Sequence, residues 1–99
     1  MALQQVLEST EIVSDEFDIP FQSSVTLEGT INGQWTVERA IGYRDDGGAR
    51  SWSTHREFEQ TDNGGIVDGI IGYVFRINLG SGNAGPTGHV ARSYTGTYR

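Results

Sequence analysis

Few residues of this chain have the type and spacing that chemistry demands. The two histidines, His55 and His89, lie far apart in sequence and have no His or Cys neighbour at ligand spacing, so each reads as an ordinary strand residue rather than a metal ligand or a base. Cysteine is absent, which removes disulfides, thiolate metal sites and thiol nucleophiles together. Asp45-Asp46-Gly47-Gly48 and Asp62-Asn63-Gly64-Gly65 offer hard oxygens on turning backbone. They lack the ligand spacing and the closing bidentate Glu of a calcium loop, and turn formation accounts for both. Gly80-Ser81-Gly82 is followed by neither Lys-Ser/Thr nor a helix pattern, and no Gly-x-Ser-x-Gly elbow exists, so phosphate cradling and serine hydrolysis have no support. Glu57 and Glu59 share a strand face, but acid/base work also needs a cleft that a domain this small seldom forms. The expectation is a protein without catalytic residues, metal or cofactor, acting by binding.

Charge narrows the partners. Residues 1–38 hold seven carboxylates and no basic residue, whereas all seven basic residues are Arg and fall from Arg39 onward, for a net charge of −6. Nucleic-acid binding needs a basic footprint, and singly dispersed Arg on an acidic chain does not make one. No apolar run approaches the length of a membrane span, and the first residues have neither the basic nor the apolar region of a secretory signal. Neither nucleic acid nor membrane is therefore expected as a partner.

The elements that would present a binding surface are short strands. The 14 glycines among 99 residues, with only two prolines, mark many turns. Val25, Leu27, Gly29 and Ile31 alternate with Ser24, Thr26, Glu28 and Thr30 as one strand, and Trp35–Ala40 follows across Asn32-Gly33, the strongest short hairpin signal. A weaker strand spans Ser53–Gln60 around Phe58, a short one holds Ile66 and Val67, and Ile71 to Leu79 alternates most cleanly, with Tyr73, Phe75 and Ile77 on its apolar face. His89–Tyr94 supplies a last strand. The fold expected is all-β, a single β-sandwich of about seven short strands, immunoglobulin-like or jelly-roll-like, with a small barrel as the competing closure.

Residues 1–20 read as an N-terminal arm and edge strand, and residues 21–99 as the sandwich domain. Leu3, Val6 and Leu7 have near-helical spacing over a stretch too short to hold a helix, and Ser9 to Ile19 is acidic and β-branched up to Pro20, the pattern of a charge-blunted edge. An acidic arm repels itself in isolation, while Ile12, Val13, Phe17, Ile19 and Phe21 supply the apolar contacts that docking requires. These five residues and Trp52, which borders a polar loop, are the expected partner-binding set. Trp35, in phase with Val37, is expected in the core.

Gly33-Gln34-Trp35-Thr36-Val37-Glu38-Arg39, then Asp45-Asp46-Gly47-Gly48, Ser51-Trp52, Ile71-Gly72-Tyr73-Val74-Phe75-Arg76-Ile77 and the closing Gly88-His89-Val90 together resemble small β-sandwich virion proteins of tailed bacteriophages. The likeness spans residues 29–94, and the chain departs from the pattern in the residues between Tyr73 and Arg76 and in a longer loop between Arg39 and Asp45. What the resemblance implies is a non-enzymatic structural protein of the virion, assembled in the host cytoplasm: a capsid decoration or cement protein contacting the major capsid protein or other virion subunits, as a homo-oligomer with a trimer favoured. A tail or head-tail component is the nearest alternative, and a carbohydrate-binding or adhesion module built on Trp52 comes from a different class.

Overall fold

A computed structural model describes residues 2–8, 11–19, 21–29, 33–42, 51–59, 63–80 and 87–92. They form eight strands: β1 (Ala2–Leu7), β2 (Phe17–Asp18), β3 (Gln22–Glu28), β4 (Trp35–Ala40), β5 (Trp52–Phe58), β6 (Gly64–Asp68), β7 (Val74–Asn78) and β8 (Thr87–Arg92). Two four-stranded antiparallel sheets result, ordered β1-β8-β3-β6 and β2-β7-β4-β5. The expectation of an all-β sandwich holds.

The strand order selects between the two topologies left open. First pairs with last, second with seventh, third with sixth and fourth with fifth, as in a long antiparallel ribbon folded at the β4–β5 connection. Rolling that ribbon brings β8 beside β3 and β7 beside β4, which is the double Greek key of a jelly roll and not an immunoglobulin arrangement. This order overrides the local hairpin signal at Asn32-Gly33. β3 and β4 lie in different sheets, so that connection crosses the sandwich instead of closing a hairpin.

Alternation builds the core. In β3 the burial runs Ser23, Val25, Leu27 inward against Ser24, Thr26, Glu28 outward, and β4 turns Trp35 and Val37 inward. Trp35 is buried and stacks on Phe58 with ring centroids 4.3 Å apart. Phe75, Ile77 and Leu79 are buried as the β7 pattern requires, and Tyr73 packs against the cluster while half exposed. The strand nevertheless starts only at Val74. Tyr73 N donates to Ile70 O across a turn in which Gly72 takes φ 91°, so Ile71 sits on a loop tip and not in the strand.

The N-terminal segment departs most from expectation. Residues 2–7 are a strand of the first sheet, and Val6 and Leu7 are both buried in the same cluster as Phe17, Ile19 and the residues of β3 to β7. Among the described residues, side chains from both sides of position 20 share one core cluster. Adjacent residues face one way here because the register with β8 slips between Gln5 and Leu7, a bulge that places an extra residue against one partner. Two neighbouring buried residues break the period of 2 and mimic a helical pattern, which is why the strand is not legible locally. Ser9 and Thr10 lie outside the described residues, and residues 11–19 fall short of the expected edge strand. Among them only Phe17–Asp18 forms a strand, the edge of the second sheet, with a single further bridge from Val13 to Asn78.

Close approach fixes the glycine that opens β6. Gly64 starts β6 with φ 128°, and a Cβ there would collide with Val25 O and lie 2.7 Å from Thr26 Cα, both backbone atoms of the neighbouring strand. Gly64→Ala should lower stability by about 1–3 kcal/mol, through strained φ together with forced separation of β3 and β6. A urea melt with unchanged midpoint would show that the pair yields without cost.

Candidate functional site

The registers bring three connections to one end of the sandwich. Asp18 lies opposite Val74, Gln22 opposite Asp68, Arg39 opposite Phe75 and Ala40 opposite Trp52. The β2–β3, β4–β5 and β6–β7 connections therefore emerge together. Gly69 N donates to Phe21 O at 2.5 Å and ties two of them, and a side chain at Gly69 would collide with Ile19 O. On this end Phe21 is 41% exposed, Ile41 61% and Ile71 75%, half of the six large apolar side chains that the described residues expose. Scattered exposed apolar residues are ordinary, but three on connections at the same end of the sandwich make that end a candidate protein contact.

The expected partner-binding residues divide. Phe17 and Ile19 are 3% and 1% exposed and belong to the core, so they are corrected from contact residues to packing residues. Phe21 joins the apolar end. Ile12 and Val13 are about one-third exposed, on a segment whose backbone is committed to β7: Leu79 N donates to Ile12 O at 2.9 Å, Ser14 N to Ile77 O at 2.9 Å, and Ile77 N to Ser14 Oγ at 2.8 Å. Asp15 N donates to Val6 O at 2.9 Å and thereby links this segment to β1. Ile12 and Val13 thus sit on a fixed side of the sandwich, not on a free arm, and the sequence reading did not identify Ile41 or Ile71. A signal for them existed. Each directly precedes a turn glycine, Gly42 at φ 102° and Gly72 at φ 91°, and a residue beside a tight turn projects outward rather than into the core.

Trp52 takes part in a structure of its own on the outer face of the second sheet. Glu38 and Arg76 lie opposite each other in register, and Arg76 Nε donates to Glu38 Oε1 at 2.7 Å while Asn78 Nδ2 donates to the same oxygen at 3.2 Å. The Arg76 guanidinium carbon is 4.2 Å from the centre of the half-buried Trp52 ring. A sugar stacking on that face would have to displace a cation held by both the ring and a carboxylate. The platform a carbohydrate module needs is occupied by the protein's own side chain.

His55, Arg56 and Glu59 have structural partners. His55 is the extra residue where β5 bulges against Val37 and Glu38 of β4. Its Nε2 lies 2.6 Å from Asp68 O, and its ring meets Phe75 edge-on at 5.0 Å. A carbonyl only accepts, so Nε2 carries the proton. Arg56 Nη1 donates to Ile66 O at 2.6 Å, and both contacts stitch β5 to β6 across the open side of the sandwich. Glu59 accepts a bond from Gln34 Nε2 at 3.0 Å. Among the described residues no three His, Asp or Glu converge as metal ligands. The Asp45–Gly48 turn, Asp62, the 81–86 loop and the His89 side chain lie outside the described residues.

No known protein family matches the chain, and neither a curated protein nor a solved structure does.

Proposed function

We propose that this chain is a non-enzymatic structural protein of a tailed-bacteriophage particle, a capsid decoration or cement protein that binds the major capsid protein or another virion subunit and so resides in the virion. The observation that carries the reading is the apolar end formed by Phe21, Ile41 and Ile71 on an otherwise small domain. Jelly rolls serve in viral capsids, lectins and cupins alike, so the fold admits this role without selecting it. The end favours a protein partner, because a surface of isoleucine and phenylalanine offers water exclusion and no hydrogen bonds for a sugar. Arg76 over Trp52 weighs against the carbohydrate alternative. A tail or head-tail protein would use the same end in fewer copies.

The test is co-sedimentation of Ile41→Glu/Ile71→Glu with particles that lack the protein, beside a thermal melt of the variant. Both side chains are largely exposed, so folding should survive. Each buried isoleucine contributes roughly 1.5–3 kcal/mol to an interface, which translates to attachment weakened by more than about tenfold. Full-strength attachment by the folded double variant would remove this end from the contact. Stoichiometry on intact particles then separates cement, with many copies, from a tail role with a handful.

A further inference from the structure

The sandwich protects its sheet edges unequally. On β6 the carbonyls of Ile66 and Asp68 accept hydrogen bonds from Arg56 and His55, which occupies groups an incoming strand would use. β5 carries Arg56 and Glu57, and the edge around β2 carries Asp15, Glu16 and Asp18. Charged residues, short strands and covered backbone are the usual means of keeping edges from pairing. β1 is the outermost strand of the first sheet and pairs with β8 on its inner side. Its later half is engaged through Val6 O, which accepts from Asp15 N, and Leu7 O, which accepts from Gln5 Nε2 at 3.4 Å. Its first half, Ala2–Gln5, has no charge, no glycine and no proline, and Gln4 and Gln5 are exposed.

We propose that the chain self-associates through Ala2–Gln5 of β1, which pairs antiparallel with the same residues of a second copy across a two-fold axis and joins two four-stranded sheets into one continuous sheet.

Charge selects the occupant. Across a two-fold axis an antiparallel strand faces its own sequence, so any charge near the axis meets its like, which destabilises the pair. Near the axis a self-pairing strand must therefore be uncharged, and Ala2–Gln5 is such a stretch. With the axis at Gln4, that glutamine faces its own copy and can both donate and accept, while Gln5 faces the uncharged Leu3. Four residues make a short pairing, so the dimer is concentration-dependent. A two-fold pair replaces the trimer that the resemblance implied, and the inference is independent of the apolar end because the two use different residues and different readouts.

The experiment is sedimentation velocity of the full chain over a concentration series, with Gln4→Glu/Gln5→Glu, Gln4→Lys/Gln5→Lys and their equimolar mixture. The expected result is a reversible monomer–dimer equilibrium for the unaltered chain, weakened at least about tenfold in each variant alone and restored in the mixture. The lysine variant separates local pairing from overall repulsion, since it lowers the net charge from −6 to −4 (−6 + 2) and would associate more strongly if overall repulsion governed. Thermal melts of both variants at low concentration should stay close to the parent, because Gln4 and Gln5 are exposed and the one bond lost, from Gln5 Nε2 to Leu7 O, is long at 3.4 Å. A monomer at every concentration, a trimer, or a dimer that both variants retain would overturn the proposal.

Discussion

Removal of residues 1–8 leaves a chain without a cooperative thermal transition. The truncation deletes all of β1, a strand paired along its length with β8, together with the buried side chains of Val6 and Leu7. Leu7 alone, fully buried, is worth about 2–5 kcal/mol as judged by leucine-to-alanine substitutions, and Val6 adds roughly 1.5 kcal/mol or more. The pairing partner of Asp15 N at Val6 O disappears as well, which loosens the segment that joins β1 to β7. Against a total stability of about 5–15 kcal/mol for a domain of ordinary size, and less for a small one, these losses consume most of the margin. Circular dichroism on heating is the measurement. A sharp transition near the parent midpoint would mean that residues 2–7 do form a dispensable arm, as their composition alone suggests. Leu7→Ala provides the intermediate case, a weakened but still cooperative melt.

Phe75→Ala should destabilise the fold by about 3–5 kcal/mol, the cost of lost burial plus the cavity left behind. Phe75 is fully buried in the middle of the second sheet, with Phe17 of β2 on one side in register and Arg39 of β4 on the other, and the His55 ring set against its face. The surroundings come from three strands held by backbone bonding, so they cannot collapse far into the vacancy. For a domain of this length each kcal/mol moves the melting midpoint by roughly 4–8 °C, so the midpoint should fall by more than about 10 °C. An unchanged midpoint would place the strand in the opposite phase. The predicted loss is specific to inward positions: the outward neighbour Arg76 forms a partly exposed ion pair with Glu38, a contact worth about 0–1 kcal/mol.

These two results bear on function through rigidity. The connections that carry Phe21, Ile41 and Ile71 are each anchored by paired strands on both sides, and the β1 edge is held by the bulge and by Asp15. Contacts presented on fixed elements lose little conformational freedom on docking. An extended arm would have to be ordered at each binding event. In the proposed role, Phe21, Ile41 and Ile71 would meet the partner from positions next to paired strands.

Alternation and turn chemistry were enough to identify β3, β4, β7 and β8 as strands, to place Trp35, Val37, Phe75 and Ile77 inside, and to classify the fold as an all-β sandwich. These features follow from a side-chain period of 2, which any half-buried strand must show. Strand order required the tertiary structure, because the same alternating segments satisfy an immunoglobulin or a jelly-roll arrangement equally well, and Asn32-Gly33 signals a turn without naming the sheet that receives the next strand. The bulges at Val6 and His55 were equally invisible, since each shifts the phase of one strand only in relation to its partner. The division of the apolar residues followed from the same cause. Phe17 and Ile19 are no more hydrophobic than Phe21 and Ile71, yet pairing with β7 and packing against Gly69 bury the first two while the turns expose the others. Composition states how much apolar surface a chain has, and only long-range pairing decides which part of it water still reaches.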